Sequence, residues 1–251
     1  GVFERLFQCR LRDADSLAAA CRGAEAVIST VSACPAAYQP PDNTITSVDL
    51  EGVLNLIDAA KASDMRHFVY TSFSSHIDVA MPLERAKRTV EGALKESGLT
   101  YTILRPSYYP EIWLSPALGF SYRNATARIY GGGQNPISWI SFHDVAQFAA
   151  ASLGNPAARN AVLELGGPEA LSPLEVVSVF EAVSGRSFTV EHIPEADLEA
   201  QMAGATDELA RTLPGLMLAY AHGDAIPMER TLEAFPLELR TVRGYAERVL
   251  G

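Results

Sequence analysis

The sequence predicts an α/β fold built on a doubly wound parallel sheet. Short apolar runs rich in β-branched and aromatic residues alternate with longer helical patterns, and small polar residues bound each run. The central unit, residues 66–111, follows the order strand, helix, strand, which makes a right-handed crossover between parallel strands. Ligands of such sheets bind outside the carboxyl ends of the strands, which here are Thr71-Ser72 and Pro106-Ser107-Tyr108.

The chain before this unit alternates in the same way. We expect Asp15 to cap a short helix that Gly23 ends. Cys9 and Cys21 fall in apolar patterns, which predicts that both are small core residues. The predicted elements, in order, are a strand, the short helix, a buried strand, a loop with three prolines and a long helix: Val2–Cys9, Ser16–Cys21, Ala26–Val31, Cys34–Asp42 and Ile45–Ala62.

The helix of the central unit carries one unusual charge. Apolar residues at helical spacing form a stripe, and Lys87 lies at its edge between Leu83 and Val90. A lysine in this place either extends to water or reaches a partner, such as a ligand hydroxyl at the strand ends. The unit is predicted to comprise the strand Phe68–Tyr70, the helix Leu83–Ser97 closed by Gly98, and the strand Tyr101–Leu104.

An aromatic-rich segment follows, from Tyr108 to Tyr122. It lines an apolar substrate pocket or packs a small second lobe. Ser172 and Glu175 form a capping box that opens a helix, and Gly185 ends that helix.

The C-terminal half contains further strands and helices. Asp144 is predicted to cap a helix, and we interpret His143 beside it as a satisfied loop histidine rather than a proton shuttle. The remaining strands and helical segments are predicted at Arg128–Tyr130, Ile137–Ile140, Val162–Leu165, Phe188–Ile193, 196–222 and 244–250.

Composition excludes several classes of function. A net charge of −10 without a basic run argues against a nucleic-acid partner. No apolar stretch reaches the length of about 18 residues that a membrane span needs. The three cysteines are an odd count without close pairing, which favours a reducing cytoplasm over a disulfide framework. The histidines and cysteines have no metal-ligand spacing, so we predict no metal site.

Two sequence motifs, in this order, resemble those of the extended and atypical short-chain dehydrogenase/reductases: HFVYTSFSS and ERAKRTVEGALKESGLTYTILRPSYY. The resemblance is greatest to the NmrA-like NAD(P)-binding branch. It implies a Rossmann-like sheet with a small C-terminal substrate lobe, and NADP or NAD as the cofactor. Residues 1–110 would form the cofactor-binding core, and residues 111–251 would combine the remaining core elements, at about 137–166, with the lobe.

The resemblance also implies roles for individual residues. The family's lysine at the position of Lys87 bonds the nicotinamide ribose, and this is the catalytic position that the chain retains. The family has an Asp-apolar pair that touches the adenine, where this chain has Arg10-Leu11; Arg10 either meets a phosphate or faces solvent, and we favour solvent. The implied cofactor site comprises Leu11, Thr30, Val31, Ser32, Thr71, Ser72, Lys87, Pro106, Ser107 and Tyr108.

Two departures from the family pattern affect the chemistry. Leu83 stands where the full catalytic machinery has Tyr, and Phe73 stands at the Ser position, between Ser72 and Ser74. Leu83 cannot donate a proton, so Tyr-mediated carbonyl reduction is not expected.

The glycine-rich turn that holds a pyrophosphate is also missing from the sequence. Gly131-Gly132-Gly133 predicts a simple turn, since no helix pattern follows it. We expect that roughly 50 residues of the family's N-terminus are absent, the length of two strands, a helix and their loops. Either the sequence is truncated, which we favour, or the protein has lost its pyrophosphate clamp. The residues that distinguish NADP from NAD follow the second strand of that segment.

Three functions fit these observations. The favoured one is NAD(P)H-dependent reduction of a small carbonyl, enoyl or quinone compound, in which water, the substrate or a side chain such as Tyr108 or Tyr109 supplies the proton. The alternative is a non-catalytic NAD(P)-sensing protein that regulates a partner. The third is an inactive fragment whose open sheet edge favours a homodimer or aggregation.

Overall fold

The computed structural model describes residues 8–34 and 42–251. Residues 2–7 of the predicted first strand and most of the predicted proline loop lie outside the described residues. The strands are β1 (Ala26–Ser29), β2 (His67–Thr71), β3 (Thr100–Pro106), β4 (Phe120–Ser121), β5 (Thr126–Tyr130), β6 (Ala161–Leu165) and β7 (Thr189–Ile193). The helices are α1 (Ala14–Cys21), α2 (Glu51–Ala62), α3 (Pro82–Glu96), α4 (Pro110–Trp113), α5 (Phe142–Ser152), α6 (Pro173–Ser184), α7 (Glu195–Gly204), α8 (Glu208–His222), α9 (Glu229–Ala234) and α10 (Val242–Leu250).

The main sheet has the strand order β1-β2-β3-β6, and every pair in it is parallel. This confirms the predicted α/β class. Residues alternate between the two faces of a strand, and here both faces are apolar. Phe68 and Ile103 pack beneath α2 and α3, whereas their neighbours Val69 and Leu104 pack against α5 on the opposite face. The sheet is therefore covered on both sides.

A smaller sheet, ordered β4-β5-β7, lies in the C-terminal half of the chain. Strand β4 is antiparallel to β5, and β5 is parallel to β7. The aromatic residues Phe120 and Phe180 are fully buried there and pack edge to face. The capping box of Ser172 and Glu175 begins α6, and Gly185 ends it in the left-handed conformation, both as predicted.

The long helix predicted over Ile45–Ala62 is continuous but not uniform. Its first part, Ile45–Leu50, is a wide π-helical turn, and α2 continues from it. Thr44 caps this turn through reciprocal bonds with Ser47. Turns of this kind are rare and occur often at functional sites.

Several local predictions are wrong. Asp13, not Asp15, caps α1, because its carboxylate accepts the Ser16 N–H. Cys9 is exposed, although Cys21 is buried as predicted. Ser141 caps α5.

Other corrections concern the C-terminal half. Asp144 lies in the first turn of α5, where it is buried and accepts the backbone N–H of Arg240. Ile137 makes only isolated bridges, so Ile137–Ile140 is not a strand. The sequence pattern also missed α9.

Three negative findings apply to residues 8–34 and 42–251. Helices in this part of the chain are too short or too polar to cross a membrane. No cluster of three or more His, Cys, Asp or Glu side chains there could ligate a metal ion. The cysteines are free thiols.

Candidate functional site

Lys87 is buried at the carboxyl edge of the sheet, with 3% of its surface exposed. Its Nζ atom donates to the carbonyl oxygens of Val31, at 3.2 Å, and Thr71, at 3.4 Å. It also lies 3.2 Å from Oδ1 of Asp49. The ammonium therefore faces an acceptor for each of its protons. Lys87 does not extend to water; it reaches partners that follow or end two neighbouring strands.

Asp49, which the sequence pattern did not single out, comes from the π-helical turn and is fully buried. Its second oxygen, Oδ2, accepts the backbone N–H of Ala33 at 2.8 Å. The carboxylate thus connects Lys87 to the segment that follows β1. A sequence signal existed, because Ile45, Asp49 and Val53 recur every fourth residue on one helix face and the outer two are apolar.

Burial and charge act against each other on Lys87. Burial lowers the pKa of its ammonium, while the Asp49 carboxylate beside it opposes the fall. The nearby Cys34 thiol responds in the opposite direction: burial, with a contribution from Asp49, raises its pKa to about 11. Lys87 and Asp49 thus form a polar centre inside an otherwise apolar region.

Two strand-end hydroxyls lie near this centre without partners. The Oγ1 atom of Thr71 and the Oγ atom of Ser29 are buried and make no hydrogen bond within the described residues. Buried polar atoms in native proteins are nearly always paired. The unpaired hydroxyl of Thr71, whose backbone carbonyl accepts from Lys87, fits an edge at which a polar ligand completes the bonding.

Ser72 points its hydroxyl elsewhere. The Oγ atom donates to Oε1 of Glu91 on α3 at 2.6 Å, and Glu91 also pairs with Arg88 and Arg105. Although burial opposes it, the hydrogen bonds from Arg105 and Ser72 hold the pKa of Glu91 below its usual value. Arg88 additionally donates to the carbonyls of residues 73 and 74. This network fixes the segment after β2 rather than offering a free Ser72 hydroxyl.

A second polar cluster surrounds Asp224, another residue that the sequence did not single out. Its Oδ1 atom accepts from the Ser74 hydroxyl at 2.8 Å and lies 2.9 Å from Nδ1 of His76. Asp224 is 2% exposed, whereas 49% of the His76 side chain is exposed. Burial raises the pKa of Asp224, and the hydrogen bonds from Ser74 and His76 oppose the rise.

The aromatic segment after β3 packs in a hydrophobic cluster with residues of β5 and α8. Tyr108 is buried, contacts the rings of Trp113 and Tyr220 edge to face, and donates its hydroxyl to the Leu216 carbonyl at 3.4 Å. Burial raises the pKa of both Tyr108 and Tyr109 well above the usual value. The Tyr108 phenol is not an accessible acid, whereas Tyr109 is half-buried against the exposed ring of Phe142.

The residues that replace the family's catalytic Tyr and Ser make apolar contacts. Leu83 and Phe73 are buried in the same hydrophobic cluster as Tyr108. Leu11 lies further away, packed on α2, where its carbonyl accepts from the Asn55 amide at 3.0 Å. Arg10 is exposed, as the solvent interpretation expected.

The other predicted site residues lie near the strand ends. Thr30 and Ser32 are exposed beyond β1, Val31 is half-buried, and Pro106 and Ser107 are buried at the end of β3. A groove of about 620 Å³ between the starts of α5 and α10 contains none of the predicted cofactor residues; His143 lines it and is exposed in α5 rather than in a loop.

Comparison with known protein families shows to which family this chain belongs. The model of the NmrA-like family matches residues 4–246 of the chain. The chain belongs to the NmrA-like family. This membership confirms the resemblance carried by the two motifs around β2 and α3.

NmrA-like relatives among characterised proteins are distant. Quinone oxidoreductase 2 of Escherichia coli K12 is 29% identical over 182 residues, which are 71% of this chain and 62% of the relative. NAD(P)H azoreductase of Xenophilus azovorans is 28% identical over 174 residues, 65% of this chain and 60% of the relative. Photosystem II assembly factor Ycf39 of Cyanophora paradoxa is 30% identical over 191 residues, which are 75% of this chain and 58% of the relative. The chain thus spans about three fifths of each relative.

Solved structures share the fold over almost the whole chain. NADPH-dependent quinone oxidoreductase QOR2 of Escherichia coli, complexed with NADPH, has a TM-score of 0.77 at 22% identity, covering 97% of this chain and 83% of its own. Triphenylmethane reductase of Citrobacter sp., complexed with NADP(H), has a TM-score of 0.74 at 18% identity, covering 96% of this chain and 82% of its own. These likenesses support the Rossmann-like architecture of the NmrA-like chain.

Proposed function

We propose that this chain is the main part of an NAD(P)-dependent oxidoreductase that reduces a small carbonyl, enoyl or quinone compound. The observation that carries the proposal is the buried Lys87–Asp49 pair at the carboxyl edge of the parallel sheet. The family membership and the names of the azoreductase and quinone oxidoreductase relatives support it. We extend the proposal to a cytoplasmic location, which the sequence predicted, and to a homodimer, which the sequence analysis connected with an open sheet edge.

The residues at this edge fit a nicotinamide dinucleotide. Lys87 would bond a ribose hydroxyl by exchanging one of its carbonyl acceptors, and the unpaired Thr71 hydroxyl would accept or donate a further bond. Thr30, Val31 and Ser32 would pass beneath the cofactor, and Pro106, Ser107 and Tyr108 would bound the nicotinamide end. When bound, the dinucleotide supplies a hydride, while the protein contributes orientation and an environment shielded from water.

Cofactor binding tests this proposal directly. We would titrate the protein with NADPH and NADH by fluorescence and compare Lys87→Met with Lys95→Met. Lys95 is an exposed lysine on the same helix and serves as the matched control. Loss of a charged hydrogen bond, worth about 2 kcal/mol, predicts that Lys87→Met binds more than about tenfold more weakly.

A second comparison separates binding from folding. Lys87→Met leaves Asp49 buried without its counter-charge, so circular dichroism must show native structure before the affinity is interpreted. The double variant Lys87→Met, Asp49→Asn removes that charge and is also expected to bind weakly. Equal affinities of Lys87→Met and Lys95→Met would exclude the role of Lys87.

The alternative function is a non-catalytic sensor of NAD(P). Leu83 and Phe73, buried at the positions of the family's catalytic Tyr and Ser, favour it. Steady oxidation of NAD(P)H in the presence of a quinone distinguishes the two, because a sensor binds the cofactor without turnover.

A further inference from the structure

We propose that His76, oriented by Asp224, donates the proton that the missing tyrosine would otherwise supply. This inference rests on the proposed reductase function. It assigns a catalytic role to a residue for which neither the family pattern nor the sequence spacing predicts one.

The loop that carries His76 extends over the carboxyl edge of the sheet. The backbone N–H of Ser72 donates to the Leu104 carbonyl at 2.8 Å, and that of Ser74 donates to the Pro106 carbonyl at 3.0 Å. These bonds continue the pairing of β2 with β3 beyond the end of β2. His76 follows two residues later, next to the strand ends where ligands of parallel sheets bind.

Asp224 fixes the imidazole from one side. Its Oδ1 atom lies 2.9 Å from Nδ1 of His76. An ionised carboxylate can only accept, so with Asp224 ionised this bond places a proton on Nδ1. Asp224 is itself held by the Ser74 hydroxyl and by backbone bonds with Pro136 and Ser138. A buried carboxylate behind a histidine orients the ring.

The other ring nitrogen is free to act. Within residues 8–34 and 42–251, Nε2 of His76 has no hydrogen-bond partner, and half of the side chain is exposed. The imidazolium can therefore present an N–H at Nε2 to a ligand and recover its proton from water.

The other proton donors considered at this edge already bond protein groups, and some of them are buried. The Tyr108 hydroxyl is buried and bonded to the Leu216 carbonyl. The Lys87 ammonium faces Asp49 and two carbonyls. The Ser74 hydroxyl donates to Asp224. His76 combines a fixed orientation, an available nitrogen and a route to water.

The proposed step delivers a hydride and a proton to the substrate from two sources. When bound, the reduced dinucleotide would supply the hydride with its electron pair, and the C=O π pair of the substrate would move to oxygen. The Nε2–H bond of His76 breaks, its electron pair stays on nitrogen, and a new O–H bond forms. The two electrons of the reduction would come from the dinucleotide, and neutral His76 regains a proton from water.

Kinetics of His76→Asn test the role. Asparagine keeps a donor for Asp224 but lacks Nε2, and His143→Asn, at an exposed histidine on α5, is the matched control. With duroquinone and NADPH, we expect kcat of His76→Asn to fall by about 100-fold or more, the range of general acid catalysis. NADPH affinity should not change, and added imidazole should restore part of the activity.

Chemical labelling gives a readout independent of turnover. Diethylpyrocarbonate modifies accessible histidines, and mass spectrometry locates the modified residue. Duroquinone with NADP⁺ should protect His76 and leave His143 reactive, because the proposed donor faces the substrate. Equal labelling of His76 with and without duroquinone would overturn the proposal.

The outcomes distinguish this inference from the function on which it rests. If wild type turns over duroquinone and His76→Asn is within twofold of it, the reductase proposal stands and the role of His76 is excluded. If wild type binds NADPH but turns over neither duroquinone nor another carbonyl or enoyl compound, the reductase proposal fails and the proton-donor role fails with it.

Discussion

Nζ of Lys87 lies 3.2 Å from Oδ1 of Asp49, and the two side chains are 4% and 0% exposed. A buried pair of this kind need not stabilise a fold relative to apolar residues, but removal of one partner leaves an uncompensated charge. The pair is therefore best explained by the site that it forms between β1, β2 and α3.

The first prediction concerns this pair. Asp49→Ala should lower the free energy of unfolding by about 3–5 kcal/mol, because Lys87 then lies buried without its counter-charge. Urea denaturation measures the change. The double variant Asp49→Leu, Lys87→Met should recover much of the loss. If the losses of the single variants Asp49→Leu and Lys87→Met simply add in it, the residues are not coupled.

The second prediction concerns acid stability and Glu91. Because the pKa of Glu91 is lower in the folded than in the unfolded chain, its bonds stabilise the fold above the unfolded pKa of about 4.3. That stability is lost as the pH falls through the folded pKa. Glu91→Gln should therefore unfold more easily at neutral pH, by about 2 kcal/mol, and this difference should shrink below pH 4.3.

Denaturant titrations of both forms across this pH range provide the measurement. Glu96→Gln, at an exposed glutamate on the same helix, is the control and should track wild type throughout. A difference that stays constant down to the lowest pH would contradict the assignment.

The third prediction concerns His67 at the start of β2. Its Nε2 atom lies 2.8 Å from the Thr102 hydroxyl, which itself donates to the Ala158 carbonyl. Burial, with a contribution from Arg159, lowers the pKa of His67, so the folded protein favours the neutral ring. The associated stability is present above the unfolded pKa of about 6.5 and is lost as the pH falls towards the folded pKa.

Thermal denaturation tests this sign. His67→Gln can still donate to Thr102 but cannot become charged. Between about pH 7.5 and 5.5, the melting temperature of wild type should fall further than that of His67→Gln. Parallel curves for the two proteins would show that His67 is not the group that titrates.

The fourth prediction concerns Gly167, after β6. A Cβ atom there would lie 1.8 Å from the carbonyl oxygen of Trp139, a backbone atom that cannot move aside without shifting its segment. Gly167→Ala should destabilise the fold by about 3 kcal/mol or more. Gly154→Ala is the control, since a Cβ atom at that position would meet nothing within 4 Å. Similar unfolding midpoints for the two variants would contradict this packing.

The sequence was sufficient for the elements of the central unit and for the edge of the sheet at which they meet. Alternating apolar runs set β2, α3 and β3 within a few residues, since a buried strand needs apolar residues on both faces. Lys87 stood out because it breaks an apolar helical stripe. The two strand ends were predictable because parallel connections bring carboxyl ends together.

The features that the sequence did not predict depend on contacts between residues that are distant in sequence. Asp49 was not paired with Lys87, although each charge lies on the buried face of its own helix. Asp224 is 148 residues from His76, and no local pattern connects them. Cys9 lies in an apolar pattern but is exposed, since local hydrophobicity does not determine which segments pack together.

Asp224 also has a mechanical consequence. The same residue bonds the loop after β2 through Ser74 and His76, and bonds residues 136 and 138 through its backbone. Any relative movement of these two parts must either carry the loop along or break both side-chain bonds at once. When the loop moves along, the His76 ring keeps its orientation relative to Asp224.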